Sequence, residues 1–230
     1  MKYFIIISML LLSGCVSQTR KDTRESDLIA MNNYQGLSRY YQHQLQNSPN
    51  DKVLMAKIAK TYLKLDDIES AVFYTQHLVD MGYDDSSFLY LAGNVYMASD
   101  QYLLAIDAFQ QAQDKGYTNA ELHISLGVLY GGLKEFDKAL AQFNQARLKG
   151  FDDVAIKNNI AVIYIARQEY KQAISMLAPI YERTPDNDRL RMNLAVALIK
   201  IKDYNNARQI LRRDYSDAEF SQLVTTITAL

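Results

Sequence analysis

The side chains best suited to bind a metal or move a proton near neutral pH are His43, His77 and His123. No two of them stand at the three- or four-residue spacing that would bring them together on one helix face, and there is no second cysteine to join them as a ligand. Adjacent carboxylates occur at Asp66-Asp67, Asp84-Asp85 and Asp152-Asp153. Paired carboxylates can divide acid and base roles. These, however, fall between apolar-periodic segments, where Asp caps helices. The chain lacks a Gly-rich phosphate loop, a Gly-x-Ser-x-Gly elbow and a His-Glu-x-x-His pair. The expectation is a chain with no catalytic, cofactor-binding or metal site, acting on other molecules by contact and not as an enzyme.

One residue does invite covalent chemistry. Met1-Lys2 is followed by an apolar run from Tyr3 to Leu12, too short to span a bilayer as a helix and suited to the core of a secretory signal. It ends in Leu12-Ser13-Gly14-Cys15, which resembles the lipobox of bacterial lipoproteins: small residues admit the peptidase and the Cys15 thiol takes the diacylglyceryl group. Cys15 is the single cysteine, so no internal disulfide forms. Each buried CH₂ of an acyl chain contributes about 0.8 kcal/mol, and several chains anchor firmly. Val16 follows, where enteric lipoproteins retained in the inner membrane carry Asp, which points to the periplasmic face of the outer membrane. Residues 1–14 are thus expected to be a lipoprotein signal peptide. Residues 15–31, polar and mixed in charge, are expected to be the lipidated Cys and a flexible tether, extending roughly 50 Å at about 3.3–3.6 Å per residue.

The elements that follow are organised by a period of 34 residues. A small residue recurs at Ala59, Gly93, Gly127, Ala161 and Ala195, and three residues later come Tyr62, Tyr96, Tyr130, Tyr164 and Leu198. A turn position holds Ile68, Tyr102, Phe136, Tyr170 and Tyr204; a close-packing position holds Ala71, Ala105, Ala139, Ala173 and Ala207. Between them, apolar residues recur at three- and four-residue spacing, the mark of amphipathic helices. Five copies in register, without insertion, resemble the tetratricopeptide repeat (TPR), although the usual repeat Trp is replaced by Met55, Leu89, His123, Lys157 and Arg191.

That resemblance implies an all-α, right-handed TPR α-solenoid over residues 32–230, of about twelve helices. Five full hairpins are expected at about 51–82, 85–116, 119–150, 153–184 and 187–214, with an unpaired capping helix over 32–46 before them. A terminal helix follows, opened by a Ser216–Glu219 capping box. Three hairpins end in Gly82-Tyr83, Gly116-Tyr117 and Gly150-Phe151, where Gly stops the helix and the aromatic is expected to pack back over its last turn. Asp85, Asn119 and Asp153 are the expected N-caps of the next helices.

With 49% apolar residues, and 25 Lys and Arg against 26 Asp and Glu, the chain can build a continuous core but offers no electrostatic support for nucleic-acid binding. What remains is a protein-binding groove on the first helices of the hairpins. Projection places Tyr90, Asn94, Met97, Ile124, Val128, Asn158, Val162, Ile165, Met192 and Val196 there, with Lys60 and Ile199 beside them. Either these line an open apolar groove for an amphipathic helix, or some belong to the core or lie under the terminal helices. A carboxylate clamp is not expected, because Ile124 and Val128 occupy slots that should be basic. Gly131-Gly132 reads either as a place for a ligand backbone to approach or as a relaxed turn.

The last quarter, with Arg191-Met192-Asn193-Leu194-Ala195, Tyr204, Ala207, Arg213-Asp214 and Ala218-Glu219, resembles the TadD family, the TPR lipoproteins of tight-adherence (Flp) pilus assembly. The resemblance implies a pilotin-like factor anchored to outer-membrane lipid through acylated Cys15, with an apolar helix of the pilus secretin in its groove. The alternatives are a TPR lipoprotein adaptor for cell-wall enzymes and a pilotin of type IV pili.

Overall fold

The computed structural model describes residues 24–229; the signal segment, Cys15 and the first part of the expected tether lie outside them. The described residues contain helices and turns and no strand. They fall into two compact units, one ending at Tyr117 and one starting at Thr118.

The first unit holds α1 (24–30), α2 (Tyr34–Asn47), α3 (Lys52–Lys64), α4 (Ile68–Asp80), α5 (Ser86–Ala98) and α6 (Tyr102–Asp114). α3 pairs with α4 and α5 with α6, while α2 packs on α3 and α4 on α5. Ile58, Leu78, Phe88 and Phe109 are its largest fully buried side chains. The second unit holds α7 (Ala120–Gly132), α8 (Phe136–Leu148), α9 (Asp153–Ala166), α10 (Tyr170–Tyr181), α11 (Asp188–Lys200), α12 (Tyr204–Leu211) and α13 (Asp217–Ala229). Here consecutive helices from α7 to α12 pack on one another, and α13 lies on α11 with Phe220 and Ile227 buried.

The repeat positions have clear physical roles. The turn residues Ile68, Tyr102, Phe136, Tyr170 and Tyr204 each begin the second helix of a hairpin, and all five close-packing alanines are fully buried. Adding a Cβ to Gly93 would bring it to 2.5 Å from the Phe109 ring, and to Gly127 to 2.5 Å from Phe143. Those glycines therefore set the helix separation within their hairpins. Each turn inside a hairpin closes the same way: Asp67 N–H donates to Tyr62 O at 3.0 Å, Glu135 N–H to Tyr130 O at 2.9 Å, and Glu169 N–H to Tyr164 O at 2.8 Å. The residue before each donor is left-handed, with Asp66 at φ 59°, Lys134 at 61° and Gln168 at 63°. This is the Schellman closure that satisfies the last helical carbonyls. Gly82, Gly116 and Gly150 serve it between hairpins.

Several expectations are corrected. Residues 24–30 are helical, not tether, and α1 and α2 join through the same left-handed turn at Asn32, with Asn33 N–H donating to Leu28 O at 2.9 Å. α2 is therefore paired: Leu28 packs on the cluster of Leu37, Tyr41, Leu54 and Ile58. Two of the terminal aromatics also make ring contacts beyond their own helices. Tyr83 packs on Phe88 at 5.1 Å between ring centroids, and Tyr117 stacks on Tyr90 at 4.5 Å. The cap of α9 is Asp152, accepting from Ala155 N–H at 2.7 Å, while Asp153 pairs with Lys157. Asp85 and Asn119 cap α5 and α7, and Ser216 and Glu219 bond reciprocally ahead of α13.

The unusual residues at the Trp position are accommodated by polar partners. His123 is buried, its Nδ1 2.7 Å from Gln142 Oε1. Arg191 is buried too, donating to Pro185 O and pairing with Asp188 and Asp214. Burial works against its charge, but the two carboxylates outweigh that and raise its pKa.

Candidate docking surface

The candidate site is built on the first helices of the hairpins. In the first unit these are α3 and α5, and they bound an open cavity of about 620 Å³. Tyr90, Asn94 and Met97, projected into the groove from sequence, all line it, as does Lys60. Its floor is aromatic and aliphatic, from Phe88, Leu91 and the stacked Tyr90 and Tyr117 rings. Asn94 is committed to its own helix, its Nδ2 donating to Tyr90 O at 2.9 Å.

Sequence projection placed only Lys60 of the basic wall. Lys57 and Lys64 share it, since residues three, four and seven apart lie on one helix face. That spacing was the available signal. Lys60 and Lys64 make no ion pair among the described residues, whereas Lys57 reaches Glu25 Oε1 at 2.8 Å. The one carboxylate on the wall, Asp85, is occupied by the N–H groups of Ser87 and Phe88.

In the second unit the projected residues divide. Val128 on α7 and Val162 on α9 are exposed, at 52% and 42% of their surface. Ile124 is half-buried, and Ile165, Met192 and Val196 are half-buried against the unit's core. Asn158 is buried and accepts from Asn193 Nδ2 at 2.9 Å, so it ties α9 to α11 and is not open surface. Ile199 is wholly buried. Gly131 lies within α7 and not in a turn, and a Cβ there would lie 2.8 Å from Ile163 Cδ1, so the glycine makes room for the α9 side chain.

The three histidines do not converge. His43 and His77 are exposed, on α2 and α4, while His123 is buried on α7. Asp67 caps α4 by accepting from Ser70 N–H, and Asp84 pairs with Lys115, which holds its carboxyl below the usual range. Among the described residues no three His, Cys, Asp or Glu converge as a metal site would require, and no helix is long and apolar enough to cross a membrane.

Two family models, both described as tetratricopeptide repeat, match residues 90–153 and 164–224. Among curated proteins no match is found. Solved structures with the same fold include a tetratricopeptide repeat protein from Parabacteroides merdae. It is 11% identical, with a TM-score of 0.74 over 92% of this chain and 85% of that one. A thermophilic TPR protein from Thermus thermophilus is 23% identical, with a TM-score of 0.55 over 79% and 98% of the two chains. YrrB, described as a TPR protein with an unusual peptide-binding site, is 19% identical, with a TM-score of 0.63 over 83% and 98%. The repeat register, the paired helices and these matches agree: the chain belongs to the tetratricopeptide-repeat family.

Proposed function

We propose that this TPR protein, suited to protein–protein interaction, is a lipoprotein on the periplasmic face of the outer membrane that assists assembly of a tight-adherence (Flp) pilus. In this reading Cys15 carries the acyl chains, and the first helices of the hairpins hold a segment of the pilus secretin, in the manner of a pilotin. The sequence Leu12-Ser13-Gly14-Cys15 and the TadD-like run from Arg191 to Glu219 motivate the setting and the partner.

The observation that carries the contact is the exposure of Val128 and Val162, 34 residues apart on successive first helices. Fully burying an exposed Val is worth about 1.5–3 kcal/mol, so these half-exposed valines each contribute roughly half of that to docking of an amphipathic helix, beside other contacts. The combined substitution Val128→Asp and Val162→Asp places two charges at exposed positions. It is expected to leave far-UV circular dichroism unchanged and to abolish secretin multimers in the outer membrane. Normal multimers in that folded variant refute the docking surface. Independently, Cys15→Ser is expected to move the protein from the membrane to the soluble fraction.

A further inference from the structure

Glu25 stands 34 residues before Ala59, at the position where the five full hairpins carry Gly or Ala. A carboxylate there replaces the side chain that lets two helices close. Its Oε1 accepts from Tyr41 Oη at 2.7 Å and from Lys57 Nζ at 2.8 Å. Lys57 also sits 5.5 Å from the Tyr41 ring centre. Lys57 is also among the residues that line the cavity between α3 and α5, so α1 is fastened to a residue of the docking surface.

Three of the basic side chains of a unit in which acidic residues outnumber basic ones face this cavity, and two of them have no anionic partner among the described residues. Opposite them lie Tyr90, Leu91 and Met97. Lysines beside an apolar floor are complementary to an amphipathic segment that carries carboxylates next to aliphatic side chains.

We infer that the cavity takes an acidic, apolar segment of the partner protein, and that this segment competes with Glu25 for Lys57. Its carboxylates pair with Lys60 and Lys64 and draw Lys57 from Glu25; α1 then loses one of its fastenings. Occupancy of the cavity and docking of α1 are therefore opposed, and the opposition is reciprocal. This deepens the reading above, resting on its claim that the first helices form the docking surface, and it adds the partner's chemistry.

The test uses the full chain in detergent and a fluorescein-labelled 14-residue peptide with Leu on one helical face and Glu on the other, with Leu/Gln and Leu/Lys counterparts. The Leu/Glu peptide is expected to bind about tenfold more tightly than the Leu/Gln peptide, and Lys60→Ala with Lys64→Ala to remove that preference. Glu25→Gln is expected to tighten binding of the Leu/Glu peptide several-fold. In the unmodified chain, bound Leu/Glu peptide is expected to speed amide exchange over residues 25–31. Equal binding of the three peptides, weaker or unchanged binding by Glu25→Gln, or slower exchange in α1 overturns the inference. If the peptides fail while Val128→Asp with Val162→Asp still blocks secretin multimers, the acidic chemistry is wrong and the docking surface stands.

Discussion

The helix separation in each hairpin is set by a pair of side chains that must match in size. Gly93 meets Phe109 and Gly127 meets Phe143; at the same repeat positions Ala161 is matched with Leu177 and Ala195 with Leu211. Gly127→Ala pushes a methyl into the Phe143 ring. Overpacking of this kind costs about 1–3 kcal/mol, against roughly 1 kcal/mol gained from helix propensity. A net loss is expected in urea unfolding, and adding Phe143→Leu should restore part of it. Thr75, at the same position as Phe109, is wholly buried, and its Oγ1 has no hydrogen-bond partner among the described residues. Thr75→Val keeps the shape and removes the orphaned hydroxyl, so it should raise stability by about 1 kcal/mol, read as a higher urea midpoint. The small positions were legible from their 34-residue recurrence. The unsatisfied threonine was not, because a hydroxyl's partners depend on geometry that spacing does not carry.

At the scale of elements, the least regular hairpin is the most informative. The helices of the five full repeats were legible because each repeat contains its own small residue, turn residue and alanine. α1 was missed for the opposite reason: Glu25 and Leu28 occupy the small and aromatic positions, so the register is hidden by chemistry even though the backbone keeps it. Partial burial alone would raise the pKa of Glu25. Hydrogen bonds from Lys57 and Tyr41, with the charge of Lys57, outweigh burial and leave it below the ordinary 4.5. A carboxyl with a depressed folded pKa stabilises above its unfolded pKa and loses that contribution as the pH falls through the folded value. Docking of α1 should therefore be complete above pH about 4.5 and weaken as the pH drops below it. Amide exchange over residues 25–31 should show this step, and Glu25→Gln should remove it. The groove was half legible. Periodicity assigned residues to the inner faces, but whether a residue there is open, like Val128, or locked, like Asn158, depends on its neighbours 35 residues away.

For the molecule as a whole, each unit carries its own buried side chains and its own stretch of first-helix surface. The two stretches differ in kind. That of the first unit joins lysines to an aromatic floor, while that of the second exposes isolated valines. Both suit contact with another polypeptide. Photo-crosslinking in cells decides whether these first-helix faces hold a pilus secretin, as proposed above. A photoreactive amino acid is placed at Met97, at Val128, or at the exposed Leu148 on α8 as a control. Crosslinks to the secretin subunit are expected from Met97 and Val128 and none from Leu148. Crosslinks from Leu148 alone, or an absence of secretin at all three positions while the pilus assembles, would contradict the proposal.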